Sequence, residues 1–213
     1  MNQTLYRQFH VLRASIESQT PSPAVLLISS ALPQDGASDV ALGLARALAE
    51  VKYATAIVSA RPARSASLET IGRRALRSKN GQNHVATANL ERFTIGDDGA
   101  PLSATRVRQL VEDFRRRFDF AIIEAGEILP DALPFARHVN GVVLSVRVGR
   151  VPSAADQMAV DALDRAGAKI LGVVAVDAPK SGGLPIPPLD MPAIAAVPGG
   201  MTEQLRAEAR ASN

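Results

Sequence analysis

The fold is decided by residues 24–61, AVLLISSALPQDGASDVALGLARALAEVKYATAIVSAR. This stretch predicts, in order, an apolar strand at 25–29, a turn rich in Pro, Asp and Gly at 33–36, a helix at 38–50 and a second strand at 55–59. A strand, a glycine turn and a helix that opens on serine are the parts of a phosphate-binding loop, in which backbone amides and the helix N-terminus hold an anion. The pattern asks for lysine at position 37, where this chain has Ala37.

Helices and strands alternate along the rest of the chain. The apolar spacing predicts helices at residues 3–19, 103–117, 131–138 and 152–166, and strands at 90–95, 119–124, 141–148 and 169–176. A basic segment at 68–77 favours one more helix. Because apolar strands between amphipathic helices are typical of parallel sheets, the pattern predicts an α/β fold with a mostly parallel central sheet flanked by helices.

A single domain over residues 1–213 is the simplest interpretation of a chain of 213 residues that is 46% hydrophobic and 21% charged. Residues 1–20 predict an N-terminal docking helix with one apolar stripe, made of Leu5, Phe9, Leu12 and Ile16. Residues 178–213 are predicted to form a Pro/Gly-rich tail along the surface and a closing helix at 202–211.

Composition excludes several classes of function. The chain has no cysteine, which rules out disulfides, thiolate metal sites and a catalytic thiol. No apolar run approaches the roughly 20 residues that span a bilayer, and the N-terminus does not resemble a signal peptide, so we expect a cytoplasmic protein. Basic residues cluster at 73–79 and 115–117, and a solvated helix face is the preferred interpretation of both clusters.

At its glycine turn the chain resembles the bacterial tyrosine kinases (BY-kinases) of exopolysaccharide synthesis, cytoplasmic partners or domains of polysaccharide co-polymerases in the MinD/ParA-like class of P-loop ATPases. The loop of that family runs Ser-x-x-Pro-Gly-Glu-Gly-Lys-Ser-Thr, and residues 30–39 here run Ser-Ala-Leu-Pro-Gln-Asp-Gly-Ala-Ser-Asp. Pro33, Gly36 and Ser38 match, whereas Gln34, Ala37 and Asp39 depart. The resemblance covers roughly residues 3–177 and implies a P-loop NTPase-like fold.

The other two motifs of that family are also altered. Its pair of aspartates after the second strand falls on Ser59-Ala60-Arg61, and its later strand ending in aspartate ends here in Glu124. If a degenerate nucleotide site remains, the resemblance assigns it to Pro33, Gln34, Asp35, Gly36, Ala37, Ser38, Asp39, Arg61 and Glu124. Ser38 and Glu124 are its weak candidates for a metal contact.

These departures predict little or no kinase or ATPase activity. Ala37 removes a cation from beside the phosphates, and Asp39 adds a negative charge at the helix N-terminus. We therefore expect no catalytic residues and no required cofactor, with ATP or ADP and Mg²⁺ as the weak alternative. Arg61 folding back to replace the missing cation would create a non-catalytic anion site. The two tyrosines, Tyr6 and Tyr53, lie outside the C-terminal tail that carries the acceptor tyrosines of the autokinases.

No other catalytic constellation is indicated. Glu124, Glu127 and Asp131 form a loosely spaced acidic group that is a weak alternative metal site. The histidines His10, His84 and His138 are far apart in sequence, and we interpret His138 as a helix cap.

The resemblance also implies partners. The family's Glu-x-x-Arg-x-x-Arg oligomer contact falls on Arg7, His10 and Arg13, where only the last arginine is kept, so a homo-oligomer stays open. We expect a binding or regulatory component of capsule, holdfast or biofilm polysaccharide synthesis and export. Its partner would be a membrane-anchored co-polymerase or another component of that assembly, which would recruit it to the inner face of the membrane.

Two alternatives come from other classes of protein. One is an active or nucleotide-switching ATPase or tyrosine kinase with a rearranged site. The other is a MinD/ParA-like positioning protein that binds DNA or membrane through its arginines. No nucleic acid is expected as a partner in the preferred interpretation, and the closing segment EQLRAEARASN has too few apolar residues for a membrane-targeting helix.

Overall fold

The computed structural model describes residues 3–33, 35–63, 89–96, 103–127, 131–149, 151, 153–176 and 196–198. The helices in these ranges are α1 (Gln3–Gln19), α2 (Ala37–Glu50), α3 (Ala104–Arg117), α4 (Leu133–Ala136) and α5 (Ala154–Arg165). The strands are β1 (Ala24–Ser30), β2 (Thr55–Ala63), β3 (Leu90–Gly96), β4 (Phe120–Glu127), β5 (Gly141–Arg147), β6 (Ile170–Val176) and β7 (Ala196–Pro198). Among these helices, none combines the length and the apolar character needed to cross a membrane.

The strands form one sheet in the order β3-β2-β4-β1-β5-β6-β7. Every neighbouring pair from β3 to β6 is parallel, and β7 pairs with β6 in the antiparallel sense. β1 lies near the middle of the sheet and is buried along its whole length. The predicted α/β fold with a mostly parallel sheet is therefore confirmed.

The two faces of the sheet carry separate apolar clusters. Successive side chains of a strand point to opposite faces, and β1 accordingly sends Val25 and Leu27 into one cluster and Leu26 and Ile28 into the other. α1 and α2 cover the face of Leu26, whereas α3, α4 and α5 cover the face of Val25. The sheet therefore lies between α1 and α2 on one face and α3, α4 and α5 on the other.

α1 docks on α2 through the predicted stripe. Phe9, Leu12 and Ile16 are 5%, 3% and 2% exposed. The ring of Phe9 lies against Gly43 of α2, where an added Cβ would approach a ring carbon to 2.1 Å. Gly43 is therefore the residue that lets the two helices come this close.

Two elements differ from the sequence prediction. α4 has four residues and falls short of the predicted helix at 131–138. Pro134 near its start has no N–H to donate, and the chain turns after Arg137 so that the Asn140 N–H reaches the Val25 carbonyl at 2.7 Å. The tail was predicted to lie along the surface, but residues 196–198 return to the sheet and pair with Gly172, Val173 and Val174. The helices predicted at 68–77 and 202–211 lie outside the described residues.

Candidate functional site

The candidate site lies at the carboxyl edge of β1, β2 and β4, beside the start of α2. Parallel strands end at one edge of a sheet, which is where open α/β folds bind ligands. Strand register pairs Glu124 of β4 with Ile28 of β1 on one side and with Ser59 of β2 on the other. The three stretches singled out from the sequence are therefore brought together.

Gly36 forms the corner between the turn and α2. It is the residue that caps α2, with φ 82° and ψ 16° in the left-handed region, and it makes no side-chain cap hydrogen bond. A Cβ at this position would lie 2.9 Å from a methyl carbon of Val176 at the end of β6. Both the backbone angle and the close approach of β6 require glycine here.

Ala37, at the lysine position of the motif, is packed in the core. The residue is 4% exposed and belongs to the apolar cluster between α2 and the sheet, with neighbours in that cluster such as Val40 and Val174. A lysine ammonium is almost never fully buried without a partner. The chain therefore places an apolar group where the motif places the cation that contacts phosphate.

Glu124 is held by two hydroxyl groups of the chain itself. The Ser38 hydroxyl donates to its Oε1 at 2.9 Å, and the Ser59 hydroxyl donates to its Oε2 at 3.2 Å. The residue is 8% exposed. This carboxylate links α2, β4 and β2, and it lies against the first turn of α2, where the helix dipole favours a negative charge.

Further serine hydroxyls bond within the same edge. Ser29 donates to the Gly126 carbonyl at 2.8 Å, and Ser30 donates to the Leu32 carbonyl at 2.9 Å. Buried hydroxyls need partners. The Ser29 bond ties the end of β1 to the end of β4, and the Ser30 bond holds the start of the turn after β1.

The remaining predicted site residues are placed as follows. Asp35 is 3% exposed, whereas Pro33 and Asp39 are exposed to solvent. Gln34 and the side chain of Arg61 lie outside what the structure describes, so the idea that Arg61 replaces the lysine stays a prediction. The side chain of Glu127 lies outside it too, and the described residues contain no group of three or more His, Asp or Glu side chains placed to hold a metal ion.

Sequence reasoning missed one cation at this edge. Arg147 ends β5 and pairs in register with Val176, the residue packed against Gly36. The signal available in the sequence was a charged residue that closes an apolar strand at the carboxyl edge.

The predicted oligomer residues lie on α1. The His10 Nε2 atom is 3.0 Å from Glu50 Oε2, and Arg13 donates twice to the Glu17 carboxylate, at 2.8 and 2.7 Å. Arg7 is exposed. His10 and Arg13 thus have partners within the chain, and their role in an oligomer stays a prediction.

The interpretation of residues 115–117 as a solvated face is wrong for Arg115. Its Nη2 donates to the His138 carbonyl at 3.2 Å and to Asn140 Oδ1 at 3.1 Å. The Arg117 guanidinium lies over the rings of Phe93 and Phe118. Arg115 and Arg117 therefore contribute to the packing of the fold as well as facing water. The group of His138 that contacts Arg115 is its backbone carbonyl, which accepts the hydrogen bond.

MgATP is the group that this fold and loop imply, and the described residues do not fit it. Phosphoryl-transfer sites place a cation on the phosphates and hold Mg²⁺ through a loop hydroxyl and a carboxylate. Ala37 provides no cation, and the Ser38 hydroxyl is bonded to Glu124. A hydroxyl that donates its proton can still coordinate a metal through a lone pair. The misfit therefore rests on Ala37, which leaves the phosphates without the motif's cation, and no catalytic step follows from this arrangement.

Similarity to known proteins is found by comparing structures and not by comparing sequences. No protein-family model and no curated protein matches it. The kinase domain of the Escherichia coli tyrosine kinase ETK is 20% identical with a TM-score of 0.59, over 84% of this chain and 76% of that one. The VpsO kinase domain is 20% identical with a TM-score of 0.59, over 80% and 94%.

The MinD cell division protein of Aquifex aeolicus is also similar, with 12% identity and a TM-score of 0.51 over 72% of this chain and 68% of that one. Identities this low report the fold. The chain therefore has the P-loop fold of bacterial tyrosine kinase domains and of MinD, which is the fold that its sequence predicts.

Proposed function

We propose that this protein is a catalytically inactive counterpart of the BY-kinase domain and that it acts by binding within bacterial exopolysaccharide synthesis and export. One observation carries the proposal. The lysine position of the motif is a buried Ala37, which places no cation beside the phosphates.

The physical argument concerns charge. In phosphoryl transfer the protein mainly positions groups and neutralises developing negative charge, and each lost contact costs on the order of a few kcal/mol in the transition state. This chain lacks the cation at Ala37 and has Ser59 in place of a carboxylate. Together these losses reduce the expected rate by several orders of magnitude.

A protein without this chemistry works through its contacts. The resemblance to BY-kinases supports a membrane-anchored polysaccharide co-polymerase, or another component of the same assembly, as the partner. Such a partner would recruit the chain to the inner face of the membrane. Self-association through α1 belongs to the same proposal, with Arg7 as its exposed cation.

The test is a calorimetric titration of the purified protein with MgATP. A variant carrying Ala37→Lys, Asp39→Thr and Ser59→Asp serves as the control, because it restores the family's residue at three of the altered positions. We expect no binding heat from the native chain at about 1 mM ligand and a measurable heat from the variant. ATP hydrolysis by the native chain that is lost in Ser38→Ala would refute the proposal.

One observation favours a second candidate, a nucleotide switch without catalysis. Gly36 keeps the left-handed corner of a phosphate loop, and Ser38 stands beside an acidic side chain. If the native chain binds MgATP tightly but does not hydrolyse it, this candidate replaces the first. Arg61→Ala and Arg147→Ala would then identify which cation has taken over from the lysine.

A further inference from the structure

A basic surface runs along the outer side of α3 and onto the turn after α4. We call it the α3 surface, and it consists of Arg106, Arg108, Arg115, Arg116, Arg137 and His138. The acidic residues within it are Glu112 and Asp113, so five arginines meet two carboxylates. α3 covers the opposite face of the sheet from α1 and α2, so this surface is separate from the degenerate loop.

Hydrogen bonds fix one end of the surface. Arg115 joins α3 to the His138 carbonyl and to Asn140 Oδ1, and the same Asn140 oxygen accepts the N–H of Val25 at 2.9 Å. The turn that carries Arg137 and His138 is thereby fixed to α3 and to the central strand. The backbone that carries Arg137 and His138 is therefore in place before a partner binds, which reduces the entropy lost on binding.

Its cations repel one another. Partial burial, then the charge of Arg137 and then that of Arg108, lower the pKa of His138 below its ordinary value of 6.5. Arg115, which donates to the His138 carbonyl, and its ion-pair partner Glu112 bring two further charges to this part of the surface. An anion that binds here relieves the repulsion and favours the protonated imidazole.

The pattern of charge selects among anions. A concavity of about 370 Å³ is lined by Arg106, Arg108, Gln109, Glu112, Asp113 and Arg116. Glu112 and Asp113 form ion pairs with Arg115 and Arg116. A uniform polyanion such as nucleic acid or an anionic membrane would press phosphates against both carboxylates, whereas a polypeptide can place acidic side chains on the arginines and neutral ones between them.

We propose that the α3 surface binds an acidic segment of a partner polypeptide. This deepens the proposed function, on which it rests, by giving the contact a place and the partner a chemistry. The contact lies away from both the loop and α1.

The test uses a short fluorescent peptide of alternating Glu and Ser, with binding followed by anisotropy. Arg108→Glu combined with Arg137→Glu should weaken binding about tenfold or more. The matched control, Arg92→Glu with Arg165→Glu, reverses two exposed arginines on β3 and α5 and should change affinity by less than about twofold. Circular dichroism melts establish that both variants fold.

The pH dependence gives a second readout. Binding should be several-fold tighter near pH 6 than near pH 8, and His138→Gln should flatten this difference. The inference would be overturned by any of three results. These are an equal loss of peptide affinity in the two double variants, no binding of the peptide, and tighter binding of single-stranded DNA or of phosphatidylserine vesicles than of the peptide. A silent MgATP titration beside a failed peptide titration refutes this surface alone, whereas ATP hydrolysis refutes the proposed function itself.

Discussion

At the residue scale, Gly36 combines a left-handed backbone with a close neighbour, and the chain offers a control that separates the two. Gly149 has φ 80°, close to the 82° of Gly36, but nothing lies within 4 Å of where its Cβ would be. Gly149→Ala should therefore lower the free energy of unfolding by about 1 kcal/mol, which is the cost of a left-handed backbone for a residue with a Cβ. Gly36→Ala should cost about 1 to 3 kcal/mol more, since its Cβ meets Val176. Urea unfolding measures both values, and equal losses would show that Val176 moves aside freely.

The carboxylate of Glu124 is expected to stabilise the fold. Glu124→Gln keeps the size of the side chain but replaces one accepting oxygen with an amide that faces a serine hydroxyl, and a buried group with a lost partner costs about 1 to 3 kcal/mol. The free energy of unfolding should fall by that amount. In the Ser38→Ala, Ser59→Ala background the same change should have less effect, because the donors are gone. An undiminished effect there would mean that other contacts of Glu124 carry its contribution.

His138 gives a pH dependence of stability whose sign follows from its environment. Its pKa is lowered in the folded state, so the unfolded state binds more protons over the interval below pH 6.5. Stability should therefore fall as pH decreases through this interval and should gain nothing from His138 above it. The difference in unfolding free energy between the native chain and His138→Gln isolates this contribution, and a difference that stays constant from pH 8 to about pH 5 would contradict it.

At the scale of elements, the packing of α1 on α2 depends on one glycine. Gly43→Ala drives a methyl group into the Phe9 ring, and overpacking of this kind costs about 1 to 3 kcal/mol. Amide hydrogen exchange should show α1 opening more readily while β1 and β4 stay protected. Adding Phe9→Leu should recover part of the loss, because the smaller side chain leaves room for the methyl group. No recovery would place the strain elsewhere in α2.

Elements with strong local signals were predictable from the sequence, and the others were not. α3 shows why, since Ser103 accepts from the Arg106 N–H at its start as a serine cap should, and Val107, Val111 and Phe114 give it a buried stripe. β7 has three residues, too few for an alternating pattern, and it exists because the edge of β6 offers hydrogen bonds. Its formation depends on a distant part of the chain, which periodicity does not report.

The candidate site was predictable to the same limited degree. The sequence predicted Ser38 and Glu124 as candidate site residues and placed Ala37 at the lysine position of the motif. It did not show that Ser59, counted only as a missing carboxylate, becomes a donor to Glu124. It also gave no hint that Arg115 anchors the turn at His138. Both contacts join residues far apart in the chain, so only the folded structure reveals them.

At the scale of the whole molecule, the sheet separates the loop from the α3 surface. Glu124 contacts residues of α2 and β2, whereas Arg108 lies on α3, across the sheet. Sites without shared partners behave independently, with couplings of only a few tenths of a kcal/mol. Glu124→Gln should therefore leave the affinity for the acidic peptide within about twofold of the native value.

The same peptide titration, run on the native chain and on Glu124→Gln, decides whether this independence holds. The Arg108→Glu, Arg137→Glu variant is the reference for lost binding. Unchanged affinity in Glu124→Gln means that the loop between β1 and α2 supports the fold without controlling the partner. A large change in affinity would mean that the loop and the α3 surface are energetically coupled through the sheet. Such coupling between two sites is what a switch requires. The loop would then have a regulatory role.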